Sequence, residues 1–263
     1  MKKDIYLKDY LASRVISFNK TLESPEYGKK FYECNEDLVD TLKEIDFKEK
    51  EVLSVLASSD QVFTARYLKA KKVDSFDKNR LTLYYYYLRL WTIKYRNELY
   101  PKVLNNSNWL KLLLKEVKPE TDMEQRAYHF FQKHIEDKTV LRNLFYDTDM
   151  QPVGRTLYQN AKDLKECLDS KIDFYSLDLF EESKLPKKYD IILISNILEW
   201  SRNDQNKLQT AASNLNNLVK KDGIVACSSL IFRKKEQLEK EKEIFSPYFE
   251  QEKKEYSYVY HKK

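Results

Sequence analysis

Five short and nearly continuous apolar runs set the fold class of this chain: residues 52–57, 73–76, 172–177, 189–195 and 224–230, with helical patterns over 60–70, 79–99, 202–219 and 233–244. A strand with one wet face alternates apolar and polar residues, whereas a continuous run means burial on both faces. Such runs, separated by segments long enough to cross over a sheet, predict an α/β doubly wound, Rossmann-like architecture with a parallel sheet covered by helices. The closing segment "YFEQEKKEYSYVYHKK" puts Tyr256, Tyr258 and Tyr260 on one strand face, and with "PYFEQ" before it predicts an antiparallel C-terminal edge hairpin. "LVKKDGIV" (218–225) reads as a helix end with basic residues, then Gly223 at or just past the helix C-terminus, then a buried strand.

Ahead of the first strand, Ile5, Leu7, Leu11, Val15, Ile16 and Phe18 trace an amphipathic helix, and Leu38, Leu42 and Ile45 a second one capped near Asn35. Residues 1–50 are therefore expected to be an N-terminal helical segment packing on the core, and 51–263 the Rossmann-like domain. Residues 100–171, with charged aromatic stretches such as "EQRAYHFFQKHIED", exceed what a minimal domain needs and are expected to form a helical insertion. A chain of 263 residues can bury a core for this without staples.

Composition narrows the class further. The 47 basic and 42 acidic residues leave a formal charge of +5, a mixed surface that does not demand a nucleic-acid partner. No apolar run approaches the roughly 18 residues of a membrane span, and acidic and polar residues break the N-terminus where a signal-peptide core would lie, so the expected location is cytoplasmic without stable membrane insertion. Cys34, Cys167 and Cys227 are odd in number and widely spaced, which fits a reducing compartment and no disulfide framework; Cys167 and Cys227 read as small buried hydrophobes. His129 and His134 are five apart and point to different sides of a helix, and His261 falls in the expected edge strand, so no metal site is predicted. In "YYYYLRLW" Tyr84, Leu88 and Trp91 share one helical stripe, which is packing rather than a stacking platform, and "RKKEQLEKEKE" (233–243) is a solvated helix.

In a doubly wound sheet the ligand lies outside the carboxyl ends of the strands. Here the turns that follow those strands carry Ala57, Ser58, Ser59, Asp60 and Gln61; Asp77, Lys78 and Asn79; Asp178 and Leu179; and Ser195 and Asn196. A carboxylate at Asp77 can accept both hydroxyls of a ribose, one at Asp178 the amino group of an adenine, while Ser195 and Asn196 face the region of a transferred group. The first turn has no glycine. Its serines are small enough to enter the left-handed region, and Asp60 suits a helix N-cap. The Asp60 carboxylate suits an ammonium and opposes a pyrophosphate, which favours a zwitterionic tail over a dinucleotide.

The stretches "YECNEDL" (32–38) and "VLSVLASSDQVFTARYLKAKKVDSFDKNRLTLYYYYLRL" (52–90) resemble the S-adenosylmethionine:diacylglycerol 3-amino-3-carboxypropyltransferase-like family, whose members read approximately "QCWEDP", "VLxIxSGGxNAL" and "VxAVDLNPAQ" there. "LPKKYDIILISNILEW" (185–200) is similar to class I methyltransferase-like folds in general. The resemblance runs through Cys34, Glu36, Asp37, Asp77 and Asn79, and departs at Asn35, Leu38 and the Ser58-Ser59-Asp60-Gln61 turn. It implies S-adenosylmethionine as cofactor, with Ser58, Ser59 and Asp60 bordering its methionyl part and Asp77 on its ribose; Asp178 follows from the wider class I pattern. An activated sulfonium needs a nucleophile held in line in a site that excludes water. Glu36, Asn196 and Glu199, with Tyr32, are the expected bases or substrate-orienting groups. Methyl transfer is the first expectation and aminocarboxypropyl transfer the alternative; a methyltransferase-like module without catalysis is a third. The acceptor stays open among small molecule, lipid and nucleic acid.

Overall fold

Strands β1 (Glu51–Val55), β2 (Lys72–Asp77), β3 (Phe174–Ser176), β4 (Tyr189–Leu193), β5 (Val219–Ser228), β6 (Phe249–Lys253) and β7 (Ser257–Lys262) form one sheet in the order β3-β2-β1-β4-β5-β7-β6. The structure is a computed structural model, and it describes residues 30–31, 38–57, 59–79, 81–96, 107–135, 145–146, 165, 168, 171–182, 185–201, 204–228, 235–253 and 257–263. Strands β1 to β5 pair in parallel, and β7 runs antiparallel to both β5 and β6. From β1 the chain winds outward through β2 and β3, then returns to β4 on the other side, so the winding reverses between β1 and β4.

The apolar runs behave as their continuity requires. Val52 and Leu53, which point to opposite faces of β1, are both 0% exposed, and Ile191, Ile192 and Leu193 of β4 are buried alike. The C-terminal hairpin is present, but β7 is interior and β6 is the edge, which corrects the expected placement of His261 on an edge strand. The reason lies in burial on both faces: Tyr258 and Tyr260 are buried, and so is Val259 between them. Tyr256 lies outside the described residues.

The second correction concerns "LVKKDGIV". Helix α6 (Gln205–Leu218), started by the Asp204 carboxylate accepting from the Asn206 and Lys207 amides, ends at Leu218, and β5 begins at once. Gly223 is thus a strand residue, and it is Asp222, with φ 62°, that takes the left-handed conformation. The β4–β5 register jumps there from Tyr189↔Val219 to Ile191↔Ile224. A Cβ on Gly223 would stand 2.9 Å from the Asp190 carbonyl oxygen and 3.0 Å from that of Lys220. Gly223→Ala is therefore expected to lower stability by about 1–3 kcal/mol, as overpacking against backbone does, read as a lower urea midpoint at unchanged m.

The chain divides into two compact units: one of 1–35, 56–60 and 78–171, the other of 36–55, 61–77 and 172–263. The second holds the whole sheet together with α1 (Leu38–Leu42), α6 and α7 (Lys235–Phe245). Of the helix expected over 35–47, residues 35–37 lie outside the described residues, 38–42 form α1, and 43–47 are not helical. Helix α2 (Asp60–Tyr67) follows the first turn, with Asp60 as its first residue rather than its cap. On α7 most residues are wet, as expected, but Glu241 is buried and accepts from the Tyr260 hydroxyl.

The first unit contains α3 (Leu81–Tyr95), α4 (Ser107–Glu116) and α5 (Asp122–His134), so the expected insertion groups with a helix of the preceding segment. Helix α5 opens with a capping box between Thr121 and Glu124, and the Glu124 carboxylate also accepts from Trp91 Nε1 at 3.4 Å. Tyr84 packs on Phe130 with ring centroids 5.1 Å apart, and every residue from Leu81 to Ile93 is buried. The tyrosine run is packing, as its helical stripe predicts. The amphipathic helix expected over residues 5–18 lies outside the described residues.

Candidate functional site

On the sheet-bearing unit, the carboxyl ends of β2, β3 and β4 carry three of the expected turns. Asp77 is the last residue of β2, pairs in register with Ser176, and is 6% exposed. Its carbonyl accepts from the Leu177 amide at 3.3 Å, holding the ends of β2 and β3 together. Asp178 stands two residues beyond β3 rather than at its end, and its Oδ1 accepts from the Phe180 amide at 3.0 Å, a local turn that fixes the side chain. Leu179 is buried, and its carbonyl accepts from the Asn214 amide of α6 at 3.0 Å.

Ser195 and Asn196 follow β4. Ser195 has φ 48°, its carbonyl accepts from the Cys227 thiol of β5 at 3.0 Å, and the chain then enters a short 3-10 helix at Ile197–Ser201. A non-glycine residue in the left-handed region costs about 1 kcal/mol or more and persists where neighbours hold it. The side chain of Glu199, like all of Glu36, Ser58 and Tyr32, lies outside the described residues.

The first turn belongs to the other unit. Ala57 has φ 37° and Ser59 φ 73°, so a turn without glycine adopts the backbone shape that glycine ordinarily supplies. The Ser59 amide closes it onto the Leu56 carbonyl. Ser59 is fully buried, and its hydroxyl finds no hydrogen-bond partner among the described residues. Asp60 next to it forms a bidentate pair with Arg89 of α3: Nη1 to Oδ2 at 2.9 Å and Nη2 to Oδ1 at 2.8 Å, both side chains under 5% exposed. The Arg89 guanidinium also stands 5.6 Å from the Tyr85 ring centroid. In the same unit the Asn79 side chain accepts from the Leu81 amide at 2.9 Å, so it starts α3, while Lys78 is half-buried. Gln61, buried at the head of α2, falls in the sheet-bearing unit.

Sequence reading did not single out Arg89. The only signal was an arginine in an otherwise apolar helix, a residue type seldom buried without a partner.

A second charged cluster lies toward the amino-terminal ends of the strands, where no site residue was expected. Asp74, in mid-β2 and 0% exposed, takes Lys187 at 2.6 Å, Lys72 at 3.3 Å and the Tyr189 hydroxyl at 3.0 Å. Burial, then hydrogen bonding with Tyr175 and the Asp74 charge, push the Tyr189 phenol far above its ordinary range, so it remains a donor. Lys220 bridges Glu51 at 3.0 Å and Asp190 at 3.1 Å, and Lys72 reaches Asp173 at 2.6 Å.

Lys220 holds the Glu51 carboxyl below its usual value, and Lys72 does the same for Asp173. For Asp190, burial raises the value but the Glu51 amide and Lys220 outweigh it. Folded values below unfolded ones mean that this stabilisation is complete above the ordinary carboxylate range and is lost as pH falls through the lowered values. Because these groups are partly solvated, the loss should total only about 1 kcal/mol. It is measured as the unfolding free energy at pH 7 and pH 3, and Lys220→Met should shrink the difference.

Among the described residues no group of three or more His, Cys, Asp or Glu side chains is arranged to hold a metal ion, and no helix is long and apolar enough to cross a membrane. One groove of about 640 Å³, lined by Gln205, Gln209, Ser213 and Tyr248 among others, runs along α6 and α7 and includes none of the expected site residues.

No family model matches this chain, and no curated protein sequence does. Solved structures do. The N-methyltransferase NodS from Bradyrhizobium japonicum WM9, in complex with S-adenosyl-L-homocysteine, is similar at 10% identity over 97% of this chain and 98% of that one, with a TM-score of 0.44. A methyltransferase from Pyrococcus furiosus is similar at 9% identity over 97% of each chain, with a TM-score of 0.47. A TehB-like SAM-dependent methyltransferase from Corynebacterium glutamicum is similar at 9% identity over 98% of each, with a TM-score of 0.43. The strand order, with β7 the single antiparallel member of the sheet among the described residues, by itself makes this a doubly wound, Rossmann-like sheet.

Proposed function

We propose that this chain is an S-adenosylmethionine-dependent transferase and that the group it moves is methyl. The observation that carries this reading is the sheet: winding reverses between β1 and β4, and a buried carboxylate, Asp77, ends the strand beside β1. Ligands of doubly wound folds lie outside the carboxyl ends of the strands at such a reversal.

The residues fit the cofactor in their chemistry. Asp77 accepts from the ribose hydroxyls, and Asp178, turned by its own bond to Phe180, accepts from the adenine amino group. By its place after β1, the turn of Ala57, Ser58, Ser59, Asp60 and Gln61 is the one proposed for the methionyl tail, and its Ser59 hydroxyl, buried and unmatched among the described residues, is a donor such a tail would satisfy; leaving a buried donor unmatched costs about 1–3 kcal/mol. Leu179, Lys78 and Asn79 flank the nucleoside by their places in the turns. The sulfonium supplies an activated carbon, so Asn196, Glu199 and Glu36 are needed only to orient the acceptor and receive its proton.

The test is calorimetric titration of S-adenosylmethionine and S-adenosylhomocysteine, followed by product analysis with candidate small-molecule, lipid and nucleic-acid acceptors. Formation of S-adenosylhomocysteine supports methyl transfer. Methylthioadenosine would instead mark aminocarboxypropyl transfer, the alternative carried by the resemblance over 32–38 and 52–90. Absence of binding at millimolar ligand would overturn the reading in favour of a binding module without catalysis.

A further inference from the structure

We propose that Arg89 is a positioning residue for the first turn: through its bidentate hold on Asp60 it keeps the glycine-free turn in the left-handed shape that receives the amino-acid tail of S-adenosylmethionine. This rests on the cofactor reading above and assigns within it a residue that no turn motif contains.

The first turn is strained. Ala57 and Ser59 both carry a Cβ and both have positive φ, at 37° and 73°. Non-glycine residues hold such conformations only where surrounding contacts over-determine them. The turn's own bond, from the Ser59 amide to the Leu56 carbonyl, is one such contact. The residue that ends the turn supplies a stronger one: both Asp60 oxygens are gripped by the guanidinium, at 2.8 and 2.9 Å, with water excluded from both side chains. A planar two-toothed grip fixes the carboxylate's orientation as well as its position, which a point charge does not. Arg89 is itself placed by a helix buried along its length and by the Tyr85 ring one turn earlier. The grip therefore anchors Asp60, and with it Ser59 just before it and Ala57 three residues before it, to a rigid element.

The pair has a second consequence. A lone Asp60 carboxylate would repel the carboxylate of an amino-acid tail, whereas the neutralised pair presents no net charge to it. The fully buried Ser59 hydroxyl, without a partner among the described residues, lies in the same turn and marks where a ligand's polar group is wanted.

The experiment compares two ligands that differ only by the tail. S-adenosylhomocysteine carries it, and methylthioadenosine carries the same nucleoside and sulfur without it. Their affinities are measured by calorimetry for the full chain and for Arg89→Lys, which keeps the charge but not the two-toothed grip. The expected result is at least a tenfold loss for S-adenosylhomocysteine with methylthioadenosine changed by less than about twofold. Equal losses for both ligands, or no loss for either, would overturn the proposal while leaving the cofactor reading intact. Failure of the unsubstituted chain to bind either ligand would overturn both. If Arg89→Lys does not fold, the double variant Asp60→Ala/Arg89→Met removes both partners together, so that no buried charge is left alone and no grip remains, and the same split between ligands is expected and the same equality refutes it.

Discussion

Asp74→Ala is expected to lower the unfolding free energy by about 2–4 kcal/mol, the largest single-residue effect on stability among the changes considered for the sheet. Asp74 is 0% exposed in mid-strand, and three groups depend on it: Lys187, Lys72 and the Tyr189 hydroxyl. Removing the carboxylate leaves Tyr189, itself 0% exposed, without one hydrogen-bond partner, and takes from Lys187 and Lys72 one of the two carboxylates each faces, the others being Glu51 at 3.8 Å and Asp173 at 2.6 Å. The lysines are 28% and 48% exposed and can turn toward water, which keeps the loss below that of a fully buried pair. Asp74→Asn keeps an acceptor for Tyr189 while removing the charge, so it should cost about half as much. Urea unfolding of both variants checks the pair; equal losses would mean that charge and not the Tyr189 bond carries the effect.

Asp77→Ala is expected to weaken S-adenosylhomocysteine binding tenfold or more, on the order of 1.4 kcal/mol. On the proposed cofactor reading, charge-assisted bonds from two ribose hydroxyls would be lost, with nothing to replace them in a place only 6% exposed. Asp77→Asn should fall between, because an amide oxygen still accepts but without charge. An unchanged affinity in Asp77→Ala would remove this residue from the site.

Much of the sheet was legible because its signals are local. Val52–Ala57 and Tyr189–Ser195 read as doubly buried strands from continuity alone, and the structure has strands at Glu51–Val55 and Tyr189–Leu193. The hairpin was legible from alternating tyrosines, but its order in the sheet was not: one face of tyrosines is compatible with an edge or an interior strand, and the burial of Val259 distinguishes them. Gly223 misled for a related reason. A glycine after two lysines matches a helix C-terminus, yet here it is required by the approach of the Asp190 and Lys220 carbonyls in a bulged strand.

The amino-acid sequence by itself determined the alternation of strands and helices and the places of Asp77, Asp178 and Ser195 just at or beyond strand ends, since burial pattern and chain order carry that information along the chain. Tertiary structure alone decided which charges meet. Asp60 lies 29 residues from Arg89, and Asp74 lies 115 from Tyr189. At such separations no spacing rule links a carboxylate to its partner. Packing brings them together, and burial makes the pairing obligatory, because a charge removed from water must find its counter-charge nearby.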